Sequence, residues 1–136
     1  MKKIIFISIL FLFFACKEKP IDPPPAKPDI SGTWEGKGSK SGINYTVTVT
    51  LTQTANDTAV TGSGDITALF IKIPFSVTGG NDYPRVNLTF TNPDPNFGTG
   101  KYIGKFNATD DNKIDGFATV PSFGINNEPL NIVRMK

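Results

Sequence analysis

Apolar and polar residues alternate with a period of two through most of the chain beyond Ile30. Thr46, Thr48, Thr50, Thr52 and Thr54 interleave with Val47, Val49, Leu51 and Gln53. Such a pattern turns one face of an extended strand to a core and the other to water. Val86, Leu88 and Phe90 alternate with Asn87, Thr89 and Thr91, and Tyr102, Gly104, Phe106 and Ala108 with Lys101, Ile103 and Lys105. Ile114, Gly116, Ala118 and Val120 share one face, as do Leu130, Ile132 and Arg134. Turn signals lie at Asn56-Asp57, Gly79-Gly80-Asn81-Asp82, Asn92-Pro93-Asp94-Pro95-Asn96 and Asp110-Asp111-Asn112. Glycine and asparagine supply the positive φ that such turns need. The pattern predicts eight strands, over 32–39, 44–54, 58–66, 69–78, 84–92, 99–107, 113–120 and 128–135, with the segment from Gly124 to Pro129 opening the last. The fold class is all-β. The even count and the lack of a long crossover favour a single eight-stranded up-and-down antiparallel barrel, whose closure removes exposed edges. A β-sandwich is the alternative.

One stretch departs from the alternation. From Ala68 to Val77 the chain is apolar on both faces, interrupted by Lys72, Pro74 and Ser76. Proline cannot donate to a ladder, so Pro74 marks an edge, a bulge or a bend. The preferred reading is a strand covered by a neighbouring loop or by its own bend. The other is a hydrophobic lip on which a ligand or partner docks, since exposed apolar patches mark interaction sites. Phe70, Phe75, Phe97, Tyr102 and Phe123 are the candidate contacts for a ligand or partner.

Before the barrel the composition changes twice. Residues 1–15 combine basic Lys2 and Lys3 with an apolar run from Ile4 to Phe14, broken by Ser8, and small Ala15. This is the layout of a secretory signal. The run is about half the roughly 20 apolar residues a spanning helix needs. Cys16, the only cysteine, follows, and the combination resembles a bacterial lipoprotein signal with Cys16 as the lipidated residue. Phe13 and Phe14 stand where that signal usually has a branched aliphatic and a small residue. Lys17-Glu18-Lys19 is similar to the start of surface-exposed lipoproteins of Bacteroidota-type bacteria. The resemblance implies an outer-membrane location, lipid-anchored, on the periplasmic or the cell-surface side. Residues 16–29 then carry Pro20, Pro23, Pro24, Pro25 and Pro28. They are expected to be an extended linker that reaches on the order of 40 Å at about 3.1 Å per residue. Residues 30–136 form one domain.

Charge and chemistry narrow the function. The net charge is +2, but the basic and acidic side chains of residues 30–136 balance, and no basic stripe with interleaved aromatics is present. That argues against a nucleic-acid partner. The chain has no histidine, which removes the commonest general base and the commonest zinc ligand. The carboxylates and serines fall mostly in turns and at strand ends, and Asp94 with Asn96 is too small a set for calcium. No metal, cofactor or enzyme activity is expected. Asp57-Thr58-Ala59 resembles a short Bacteroidota O-glycosylation motif, with Thr58 as the acceptor.

The two ends of the domain carry a family resemblance. Gly32-Thr33-Trp34 at the start and Arg134 on the last strand resemble the lipocalin-like (calycin) barrels, in the small form found on bacterial lipoproteins. The resemblance implies that Trp34 plugs one barrel end with Arg134 packed over it. The two readings of function are a membrane-anchored exported lipoprotein whose barrel binds a small hydrophobic or amphipathic ligand, and a protein-interaction or protease-inhibitor module with a filled barrel. Inward Gly36, Gly38, Gly104, Gly116 and Ala118 leave room for a ligand; inward Leu88, Phe90, Tyr102 and Phe106 take it up.

Overall fold

The computed structural model describes residues 26–136. The expected signal peptide, the lipidation of Cys16 and most of the proline-rich linker lie outside these residues. The strands are β1 (Gly32–Lys40), β2 (Ile43–Gln53), β3 (Ala59–Ala68), β4 (Ile71–Asp82), β5 (Arg85–Thr91), β6 (Thr99–Phe106), β7 (Lys113–Val120), β8 (Ile125–Pro129) and β9 (Ile132–Arg134). A single 3-10 turn, Pro121–Phe123, separates β7 from β8.

Each strand from β1 to β7 pairs antiparallel with the next, and β9 pairs with both β7 and β1. The result is a closed eight-stranded antiparallel barrel with β8 as one extra strand. Closure excludes the sandwich. Alternation sets which face lies inside. Val47, Val49 and Leu51 of β2 are buried, whereas Thr50 and Thr52 are exposed. Val86, Leu88 and Phe90 of β5 and Ile114, Ala118 and Val120 of β7 complete the wall of the core.

Three local expectations are corrected. The Gly79–Asp82 turn is not a turn: these residues continue β4, and the chain reverses at Tyr83-Pro84. A Cβ on Gly79 would overlap the carbonyl oxygen of Asn87, so glycine here permits close approach of β5 rather than a reversal. Leu69 and Phe70 are not in a strand. They form the two-residue turn between β3 and β4, with φ of 47° and 69°. The last predicted strand is broken at Leu130-Asn131. Its first part, β8, lies along the end of β7, and its second part, β9, crosses to β1 and closes the barrel.

Pro74 sits opposite Asp65 on β3, beyond the last β5 pairing at Ser76↔Thr91. On that side its carbonyl accepts a bond from Asn92 Nδ2 at 2.6 Å. The missing N–H therefore falls where the ladder has ended.

Candidate functional site

The barrel has one sealed end. The Trp34 side chain is fully buried there, and its Nε1 donates to the Ile30 carbonyl at 2.8 Å. Phe106 meets the indole edge-on, with centroids 6.3 Å apart. The Arg134 guanidinium lies over the ring at 4.5 Å from its centroid. Arg134 also donates to the carbonyls of Ser31 and Asp29. Register puts Trp34 directly opposite Arg134 across β1 and β9. Asn81 and Gln53 complete this end: Asn81 Nδ2 donates to Gln53 Oε1 at 2.9 Å and to the Pro28 carbonyl at 3.1 Å. Apart from Asn81 Oδ1, which is buried without a partner among the described residues, these groups bond to backbone and to one another, which suits a seal.

The middle of the barrel is full. The small inward residues do not leave room; they seat rings. A Cβ on Gly38 would overlap the Tyr45 ring, and one on Gly104 or Gly116 would collide with Tyr102. Gly36 faces Ile132 and Leu130 in the same way. Tyr102 is only 1% exposed, and its hydroxyl donates to the Ile114 carbonyl at 3.2 Å. Phe75 is buried as well, against Phe90 at 5.0 Å between centroids. A pocket beneath the mouth, lined in part by Phe75, Phe90, Gly100 and Val120, holds about 20 Å³, about enough for one water.

The opposite end is open. A cleft of about 310 Å³ is walled by Tyr45, Ile66, Ala68, Ile73, Phe123 and Ile125. Ile43, Leu69 and Ile71 form its rim, and Lys40 and Ser41 bring its polar groups. Lys40 Nζ is 2.6 Å from Glu128 Oε1. The pair spans a seam in the wall, because Lys37–Lys40 pair with β2 alone and β8 pairs with β7 alone. Phe97 and Phe123 stack beside the cleft at 5.7 Å and 18°, and Ser122 Oγ bonds the Phe97 carbonyl.

Of the five aromatic candidates, Phe123 lines the cleft and Phe97 supports it. Phe70 does not line the cleft but projects beyond its rim, wholly exposed, and Phe75 and Tyr102 are interior fillers. The covered reading of the 68–77 stretch is overturned at its start: Leu69 is 64%, Phe70 104% and Ile71 62% exposed. Thr58 is exposed between β2 and β3, at the sealed end. Among the described residues no group of three or more Cys, Asp or Glu is placed to hold a metal. Asp94 is taken up by its own loop, accepting from the Asn96 backbone and side chain. Lys40, Ile43, Tyr45, Ile66 and Ile125 escaped the sequence reading. Their signal was positional: each sits on or beside the stretch of strand that alternation carries to one barrel end.

Titration gives two expectations. Burial, and then Glu128, raise the Tyr45 phenol, with Lys40 opposing; burial, and then Asp115, raise Tyr102. Both folded values exceed those of the unfolded chain. The stability they contribute is intact below the ordinary phenol range near 10 and is lost as pH rises through the folded values. On the acid side, the Ser31 backbone bond lowers Asp29, and bonds from Asn107 and Lys113 lower Asp115. That contribution is present above about pH 4 and is lost as pH falls through the lower folded values. Melting curves should be flat near neutrality and fall at both extremes; a melting point that rises from pH 9 to pH 11 would contradict the assignment.

Comparison with known proteins returns no matching family model, no matching curated protein and no matching solved structure.

Proposed function

We propose that this chain is an exported lipoprotein, lipidated at Cys16, whose barrel holds a small apolar or amphipathic molecule in its mouth. The observation that carries the reading is the 310 Å³ cleft, aliphatic on its walls and open at a rim that holds Lys40. Its size is at the lower end for small-molecule sites, which are mostly apolar with a few placed polar groups. The apolar part of the ligand sits against Ile66, Ile73 and Ile125. A polar or anionic end stays near Lys40, where it competes with Glu128. Because the core below is filled, the ligand is held at the mouth and not deep in the barrel. The resemblance of Gly32-Thr33-Trp34 and Arg134 to lipocalin-like barrels supports the same reading.

Native mass spectrometry of the full chain, extracted from its host membranes, tests this. The expected spectrum carries a small-molecule adduct that is lost in Ile43→Glu, which charges the exposed rim without touching the core. Bare protein in both would contradict the reading. A protein-interaction or inhibitor module is the second reading; the filled interior favours it, and it predicts the bare mass.

A further inference from the structure

We propose that the Leu69-Phe70 turn enters a lipid surface and sets the barrel mouth-down on the membrane. The proposal rests on the reading of the chain as membrane-associated and adds which end meets the bilayer.

The turn is built from the wrong residues for a turn in water. Both central positions of this two-residue hairpin loop lie in the left-handed region, at φ of 47° and 69°. Glycine, asparagine and aspartate adopt that region readily, and bulky apolar side chains rarely do. Phe70 is wholly exposed and Leu69 and Ile71 nearly two-thirds so. Ile43, 41% exposed, stands on the neighbouring hairpin at the same end. Ile43, Leu69 and Ile71 line the cleft and Phe70 projects beyond it as an apolar tip, and among the described residues nothing covers the Phe70 ring.

The charges fit a lipid interface. Near the tip, Lys72 pairs with Asp65 at 3.1 Å and Lys40 with Glu128 at 2.6 Å, and Asp94 in the β5–β6 loop is the one further exposed carboxylate of this end among the described residues. The sealed end is different. Exposed carboxylates occur before β1 at Asp29, in the β2–β3 loop at Asp57, beside the β4–β5 turn at Asp82 and in the β6–β7 loop at Asp110 and Asp111. Lys27, Arg85 and Lys136 share that end, whose exposed large apolar side chains are Tyr83, Val133 and Met135. Setting that end on a bilayer would desolvate its aspartates; setting the mouth on it buries hydrocarbon.

The leash is long enough. The chain enters the barrel at the sealed end, at Ile30. β2 has eleven residues, which at about 3.3 Å each and a tilt of 35–45° span roughly 25–30 Å along the axis. Pro28 and Asp29 are held at the sealed end by Asn81 and Arg134, so the leash runs from Cys16 to Pro28. An extended chain of that length would reach roughly 37 Å, enough to pass the mouth and meet the same surface.

The test uses the full chain with Phe70→Trp, mixed with phosphatidylcholine vesicles whose acyl chains are brominated. Trp34, buried beneath Arg134, supplies the baseline in the parent chain. The added emission should move to the blue and fall severalfold in brominated relative to plain vesicles, while the parent changes little. In an unacylated chain that begins at residue 16 with Cys16→Ser, Phe70→Asp should lower vesicle binding by roughly tenfold or more, as loss of a buried aromatic implies. Intact mass decides separately whether Cys16 carries lipid. Quenching in a chain without lipid keeps the docking and removes the anchor. Added emission that stays solvent-like and unquenched while the acylated chain is vesicle-bound overturns the docking, leaves the anchor standing, and assigns the tip to a pocket on a protein partner.

Discussion

Trp34→Ala should destabilise the barrel by about 3–5 kcal/mol, in line with other buried aromatic truncations. For a domain of this size that is a fall in Tm of roughly 15–30 °C. Several losses coincide. The indole is fully buried, so its removal leaves a cavity the closed wall cannot collapse. The Ile30 carbonyl loses its 2.8 Å donor, and an unpartnered buried acceptor costs about 1–3 kcal/mol. The Arg134 guanidinium loses the face it covers, a contact worth about 0.5–2 kcal/mol. Arg134→Lys is the informative companion. It keeps the charge but not the planar fork that donates to Ser31 and Asp29, so its effect should be clearly smaller than that of Trp34→Ala. Thermal or urea melts of both variants check this. An unchanged melting point for Trp34→Ala would mean that the end is not sealed by the indole.

The second large effect is at the centre. Tyr102→Ala should also destabilise by about 3–5 kcal/mol. It should hollow the barrel as well, because Gly104 and Gly116, paired with each other beneath the ring, have no side chain to take up the space. An apolar cavity of that kind stays dry and accepts xenon or benzene. The variant should bind such probes and the parent should not at this position. Gly116→Val tests the same packing from the other direction. Its added carbons would meet the Tyr102 ring and the Ile103 carbonyl, and overpacking of this kind typically costs 1–3 kcal/mol. Probe uptake by the parent core, or a neutral Gly116→Val, would contradict a filled interior.

These two sites also mark how far the sequence could be read. The barrel was legible because alternation with a period of two is a direct consequence of a wall with core on one side and water on the other. The threonine–valine run of β2 and the inward set of β5 needed nothing further. Trp34 and Arg134 stood out by position at the two ends of the domain. What could not be read was how glycines are used. Gly79 has the composition of a turn, but here it admits a neighbouring backbone. Gly104 and Gly116 suggest a cavity, but the Tyr102 ring that lies over both fills it. Only the three-dimensional neighbour distinguishes these cases. The Leu69-Phe70 turn was hidden for the opposite reason: its side chains have strand propensity, and no local signal marks two apolar residues with positive φ. The cleft was legible only in part. Its walls come from β1 to β4 and from the segment after β7, and one dimension of sequence does not say that Ile43, Ile66 and Ile125 meet.

The most direct test of the account is isoleucine-methyl NMR of the full chain during titration with a medium-chain fatty acid, as a simple apolar probe with an anionic head. Saturable shifts are expected at Ile43, Ile66, Ile71, Ile73 and Ile125 around the mouth, with Ile30, Ile114 and Ile132 at the sealed end unmoved. Shifts centred on the sealed end, or no saturable shift at the mouth, would contradict it.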